Sequence, residues 1–305
     1  MLCCLPGSRA RAGRDPRSVR ARGRGAVGDV QPGSDRRTWQ RYIALGDSFT
    51  EGLSDPDPAG PDAYRGWADR LAGHLAAAAP SGAVEYANLA IRGRLLAQVL
   101  AEQVPVALAA GPDLVSLVAG GNDLLRPGAD PDRLAADLEA AVVSFRRAGA
   151  DVLLATGVDP RQTPIIRRTR GRVAVFNAHL WSIAARQGAV VLDQWGAAWL
   201  QDARLWDPGD RIHLTAEGHR RTALAAAAAL GVPVAGDGTD WRTPLEKGPP
   251  RPAREVLAQE LAWVRGFVVP WVGRRLRGRS SGDGRAAKRP QLERLDTTFS
   301  SVIDS

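Results

Sequence analysis

Ser48 stands in Gly46-Asp47-Ser48-Phe49-Thr50-Glu51-Gly52, directly after a short apolar run. His213 stands in Asp210-Arg211-Ile212-His213-Leu214-Thr215, just before the last long amphipathic run. A serine hydroxyl becomes a nucleophile when a nearby base takes its proton. A neutral imidazole serves as that base best when a carboxylate on its other ring nitrogen fixes the tautomer and stabilises the cation. Asp210, three residues before His213, can supply that carboxylate within one turn of chain. Each piece has a plainer reading when taken alone: a serine after a strand is an ordinary helix N-cap, and Asp-x-x-His often makes only a surface turn. Thr215 suits the cap of the helix that follows, and Glu217 suits its first turn. His74, His179 and His219 fall inside expected helices with no carboxylate three residues earlier, and read as packing or surface residues.

Acyl transfer also needs N–H donors aimed at the oxygen on which negative charge develops. Two further segments can provide them. Asn88-Leu89-Ala90-Ile91-Arg92-Gly93 ends in a glycine whose backbone N–H is open to close approach, and Gly120-Gly121-Asn122-Asp123 puts an amide side chain after the most apolar strand. With the N–H of Ser48, the N–H of Gly93 and the Asn122 amide make a three-donor hole, although either segment alone also reads as a glycine-rich turn. Asp47 and Asp123 adjoin these positions, and short carboxylates there are expected to accept backbone N–H bonds and hold the loops. All four segments lie at the carboxyl ends of expected strands or just before the last helix, the edge where parallel α/β sheets bind ligands.

The elements that must position them alternate from Arg41 onward. Apolar runs at Tyr42–Leu45, Val84–Leu89, Leu114–Ala119, Val152–Thr156 and Val190–Leu192 are expected strands. Amphipathic runs at Tyr64–Ala79, Leu95–Ala109, Pro131–Ala148, Val173–Gln187 and Ala216–Leu230 are expected helices. Each gap leaves room for a crossover, which gives an α/β, three-layer α/β/α domain over 41–232 with a five-stranded parallel sheet. Residues 1–40 read as an Arg-rich disordered arm, 233–253 as a Pro-Gly linker, 254–277 as an amphipathic segment and 278–305 as a disordered tail.

In order and context, Ser48 in GDSFTEG, Gly93 in NLAIRG, Asn122 in GGND and His213 in DRIHLT resemble the four blocks of the SGNH, or GDSL-type, esterases and lipases. The resemblance spans about residues 42–230. It implies a flavodoxin-like fold and ester hydrolysis through an acyl-serine intermediate. It assigns Ser48 as nucleophile and oxyanion donor, Gly93 and Asn122 as oxyanion donors, His213 as base and Asp210 as its partner. It implies no metal and no cofactor, and a small acyl ester as substrate. An acyltransferase or a carbohydrate deacetylase using the same site is the alternative. Ser48 does not stand in a G-x-S-x-G elbow, and no P-loop or metal-ligand cluster is evident.

A net charge of +8 invites a nucleic-acid reading, but the charge lies at the ends. Residues 1–41 hold ten Arg against three Asp, and 242–305 hold thirteen basic against seven acidic residues; 42–241 hold eighteen basic and 23 acidic. An acidic body is a poor phosphate-binding surface, so no specific nucleic acid is expected and an idle nucleic-acid or membrane binder ranks below an enzyme. Cys3 and Cys4 are adjacent and cannot staple the domain, and no secretory or membrane-spanning segment is evident, which points to the cytoplasm. No large insertion suggests a lid, so an open groove is expected. In 254–277 the apolar positions Val256, Leu257, Leu261, Val264 and Val268 recur at helical spacing. That face is expected to pack on the domain, with peripheral membrane contact as the alternative. Trp67, Trp181, Trp195, Trp199 and Trp206 are read as core or groove wall.

Overall fold

A computed structural model describes residues 37–60, 62–163, 166–234, 241–246, 261, 263–270, 273 and 280–296. Residues 1–36 of the expected arm, the Pro-rich stretch 247–253, the start of the amphipathic segment at 254–260 and the last residues 297–305 lie outside them. Of the expected arm, 37–40 are described and tied down: Trp39 is buried, and its indole N–H and the Arg37 guanidinium both donate to Asp151.

The chain runs through β1 (Arg41–Gly46), α1 (Ser48–Glu51), α2 (Gly66–Ala78), β2 (Ala83–Asn88), α3 (Leu96–Gln98), α4 (Val104–Ala110), β3 (Leu114–Val118), α5 (Gly121–Leu124), α6 (Pro131–Arg147), β4 (Asp151–Ala155), α7 (Arg170–Gln187), β5 (Val190–Leu192), α8 (Ala216–Ala229) and β6 (Arg289–Asp296). The sheet order is β5-β4-β3-β1-β2-β6, parallel except for β6. Alternation along β1 divides the core into two layers. Tyr42 and Ala44 face α2 and α8, while Ile43 and Leu45 face the side covered by α6 and α7. Strand order reverses between β1's two neighbours, β2 and β3. The carboxyl end of β1 therefore sits at the switch point of the sheet, and Ser48 is the second residue beyond it.

Two elements depart from the sequence expectation. The single helix expected over Leu95–Ala109 is broken by a π-turn at Val99–Gln103. Pro105 enters the second half near its first position, where its missing N–H is tolerated and the strict ladder is not. The tail expected to be disordered from 278 contains β6, a sixth strand antiparallel to β2. Its sequence, Arg-Pro-Gln-Leu-Glu-Arg-Leu-Asp, hides it because Leu292 and Leu295 are three apart and so serve opposite faces, one side chain per core layer. The charges and Pro290 suit an edge strand.

The amphipathic segment is also packed differently. Leu261 and Val264 of the expected buried face are exposed, as is Val269, and Trp263 is buried instead. Among the tryptophans read as core or groove wall, Trp67 and Trp199 are buried, but Trp181 is half-exposed. No described helix is long and apolar enough to cross a membrane.

β6 is anchored by Lys288. Its ammonium shares three protons among four acceptors, the Glu51, Tyr64 and Arg65 carbonyls at 2.6, 2.9 and 2.5 Å and Asp69 Oδ2 at 2.5 Å. Asp69 is buried, and the ion pair left to it if Lys288 is lost is the longer contact to Arg289, 3.6 Å. Lys288→Met should therefore destabilise the fold by about 3 kcal/mol, since breaking a buried pair strands its partner. The melting temperature should fall by several degrees, and an unchanged melt would mean that the tail contributes nothing to stability.

Candidate active site

The nucleophile loop is held from below before any chemistry is possible. The Gln103 amide is buried and pairs face to face with the Gly46 peptide, donating to its carbonyl and accepting from its N–H, both at 2.9 Å. Gly46 has no substitute: a Cβ there would lie 2.3 Å from the Val118 carbonyl oxygen. Asp47 then caps α1 by accepting from the Phe49 N–H at 3.1 Å, which leaves Ser48 at the first helical position with its side chain at the cleft. Asn88 donates to the Thr50 carbonyl at 3.0 Å and fixes the far end of the same turn.

The histidine loop is a closed hairpin. Trp206 bridges Leu214, and the Asp207 N–H donates to the His213 carbonyl at 2.8 Å. Arg211 takes a left-handed conformation, φ 59°, at the apex, a strained state for a non-glycine residue. That turn points both oxygens of Asp210 inward: Oδ1 accepts from the Ile212 and His213 N–H groups at 2.8 and 3.0 Å, and Oδ2 contacts His213 Nδ1 at 2.6 Å. His213 Nε2 lies 2.8 Å from Ser48 Oγ. Residues 165 positions apart in sequence thus meet at hydrogen-bond distance. Burial raises the Asp210 carboxyl pKa, but the His213 hydrogen bond, the imidazolium charge and the two backbone N–H groups outweigh it, so the pKa lies below the usual carboxylate value. A carboxylate held ionised fixes Nδ1 as the protonated nitrogen and leaves Nε2 free to accept from Ser48.

The three expected oxyanion donors differ in what already holds them. Among the described residues, the Ser48 and Gly93 N–H groups have no hydrogen-bond acceptor. Asn122 Nδ2 donates to Asp47 Oδ2 at 3.0 Å and to the Arg94 carbonyl at 3.1 Å, so it must exchange one of these bonds to receive an oxyanion. Asp123 accepts from the Leu96 N–H at 2.9 Å, tying the loop after Gly93 to α5. Gly93 is also fixed by a pair that sequence reasoning missed. Buried Glu51 accepts from the Arg92 N–H at 2.6 Å, from Arg92 Nε at 2.9 Å and from Arg92 Nη2. Glu51 belongs to the serine segment and Arg92 to the glycine segment, so this ion pair ties the two segments together.

Burial raises Asp47 from its ordinary 3.8 to about 6, opposed by the Phe49 N–H, the His213 charge and the Asn122 amide, with the Asp123 charge raising it further. A carboxyl whose folded pKa is raised loses stabilisation as pH rises from 3.8 to about 6. Asp47→Asn cannot titrate, so its melting temperature should gain on the wild type across that window, by up to about 3 kcal/mol of relative stability. A wild-type-to-variant difference that stays constant from pH 4 to 7 would contradict this. His219, by contrast, is a core residue, as its helical position suggests. Its Nδ1 accepts from the Trp67 N–H at 3.2 Å, Nε2 donates to the Leu53 carbonyl at 3.0 Å, and burial depresses its pKa to about 4.

The Ser48–His213 edge opens onto a cleft of about 1210 Å³. Its walls include Leu124, Val158, Phe176, Leu200, Trp206 and, from the C-terminal segment, Trp263. Among the described residues, no group of three or more His, Cys, Asp and Glu side chains is placed to hold a metal ion.

No curated protein matches the chain. Solved structures share its fold, among them these two. An acetylxylan esterase from Geobacillus stearothermophilus is 21% identical with a TM-score of 0.52, the match covering 70% of this chain and 99% of that one. LAE5, an alpha/beta hydrolase enzyme from the metagenome of Lake Arreo, Spain, is 24% identical with a TM-score of 0.53, over 63% and 95%. The sequence model of the GDSL-like lipase/acylhydrolase family matches residues 44–221, more than half of the chain and all four segments described above. The chain therefore belongs to the GDSL-like lipase/acylhydrolase family, and it is a serine hydrolase of the SGNH type.

Proposed function

We propose that the protein hydrolyses small or short-chain carboxylic esters through an acyl-serine intermediate on Ser48. The observation that carries the reading is the unbroken chain from Asp210 Oδ2 through the His213 ring to Ser48 Oγ, with contacts of 2.6 and 2.8 Å. His213 Nε2 takes the Ser48 proton as Oγ attacks the ester carbonyl carbon. The electron pair of the C=O bond moves onto oxygen, where the Ser48 and Gly93 N–H groups and the Asn122 amide receive it. Collapse of this intermediate breaks the bond to the alcohol oxygen, which leaves with the proton from His213. Water then enters, loses a proton to His213, attacks the acyl carbon and releases the acid, and Ser48 regains its proton. Asp210 stabilises the imidazolium in both halves.

The experiment is hydrolysis of a panel of esters from acetyl to dodecanoyl, with acetylated sugars included because one structural neighbour is an acetylxylan esterase. The highest kcat/KM is expected on the short esters. Activity that climbs with chain length would overturn the short-chain part, and product shifting to an acylated sugar or alcohol when one is added would replace hydrolysis by transfer.

A further inference from the structure

Trp263 lies outside the family domain, which ends at residue 221, yet it is buried and lines the same cleft as Ser48 and His213. Its indole Nε1 donates to the Asp210 backbone carbonyl at 3.0 Å. The Arg211 guanidinium lies over its ring, 4.9 Å from the centroid. These two contacts grip consecutive residues at the apex of the histidine loop, one of which holds the strained left-handed conformation. A strained turn persists only where its surroundings over-determine it, and here part of that constraint arrives from another segment of the chain.

We propose that Trp263 is a positioning residue for the base. By holding the Asp210–Arg211 peptide through the indole N–H and the stacked guanidinium, it keeps the Asp210 carboxylate aimed at His213 Nδ1 and His213 Nε2 aimed at Ser48. The same ring closes one flank of the cleft, so the C-terminal segment completes an active site that the family domain alone leaves open on that side. The inference rests on the hydrolase reading above. A displaced carboxylate matters because the triad acts as one unit: small misplacements lower turnover without touching the reacting atoms.

The test uses the full-length protein with Trp263→Phe and Trp263→Ala, an ester substrate, and a fluorophosphonate probe of Ser48. Phe keeps an aromatic flank but lacks the N–H, so kcat should fall roughly 3- to 10-fold with KM nearly unchanged, the scale of one lost hydrogen bond. Ala removes flank and grip, so kcat should fall further and KM should rise several-fold. The rate of fluorophosphonate labelling should follow kcat in both variants. The inference is overturned if Phe leaves kcat and labelling rate unchanged, or if it raises KM alone, which would make the ring a wall and nothing more. Should Ala fail to fold, Phe still decides the matter. Absence of labelling in the wild type would instead sink the hydrolase reading itself, which separates the two failures.

Discussion

Replacing Ser48 by Ala lowers ester turnover by ~10³-fold or more, and adding His213→Ala to that variant lowers it little further, because nucleophile and base act as one unit. The non-additivity follows from the 2.8 Å contact between Ser48 Oγ and His213 Nε2: once the hydroxyl is gone, the imidazole has no proton to take. Steady-state kinetics on the two single variants and the double variant check it. Multiplicative losses would mean that the two residues do not share a step. Stability should change little in Ser48→Ala, since the serine is only partly buried.

Asn122→Ala should reduce kcat by roughly 10²–10³-fold with a smaller effect on KM, the usual consequence of deleting one donor that strengthens in the transition state. Unlike Ser48→Ala, it should also cost about 1–2 kcal/mol of stability, because Asn122 Nδ2 bridges Asp47 Oδ2 and the Arg94 carbonyl. Kinetics and a thermal melt on the same preparation distinguish the two roles. Full activity with a lowered melt would make Asn122 a bridge between loops and not an oxyanion donor. Asp47 enters both outcomes, since ionisation of a carboxyl titrating near pH 6 strengthens its hold on the Asn122 amide.

The four chemistry-bearing segments were legible because each ends a strand or begins a helix with residue types that turns and acyl transfer both require. Ser48, Gly93, Asn122, Asp210 and His213 could be named from spacing and context before any geometry. The five parallel strands were legible too, since buried parallel strands read as continuous apolar runs. What stayed hidden is long-range and polar. Gln103 sits inside an amphipathic run, and nothing local shows that its amide meets Gly46, 57 residues earlier. Glu51 and Arg92 look like surface charges until folding buries them against each other. β6 escaped because an edge strand with one apolar residue per face has no period to detect. Trp263 was not among the positions that helical spacing selected: Leu261 and Val264 were, and they are exposed, whereas the indole is buried by contacts to a loop that spacing cannot see.

The most direct test of the account is to label the wild-type protein with a fluorophosphonate, digest it and map the adduct by mass spectrometry. The account predicts a single adduct on Ser48, abolished in Ser48→Ala and greatly slowed in His213→Ala. An adduct on any other residue, or undiminished labelling of Ser48→Ala, would contradict it.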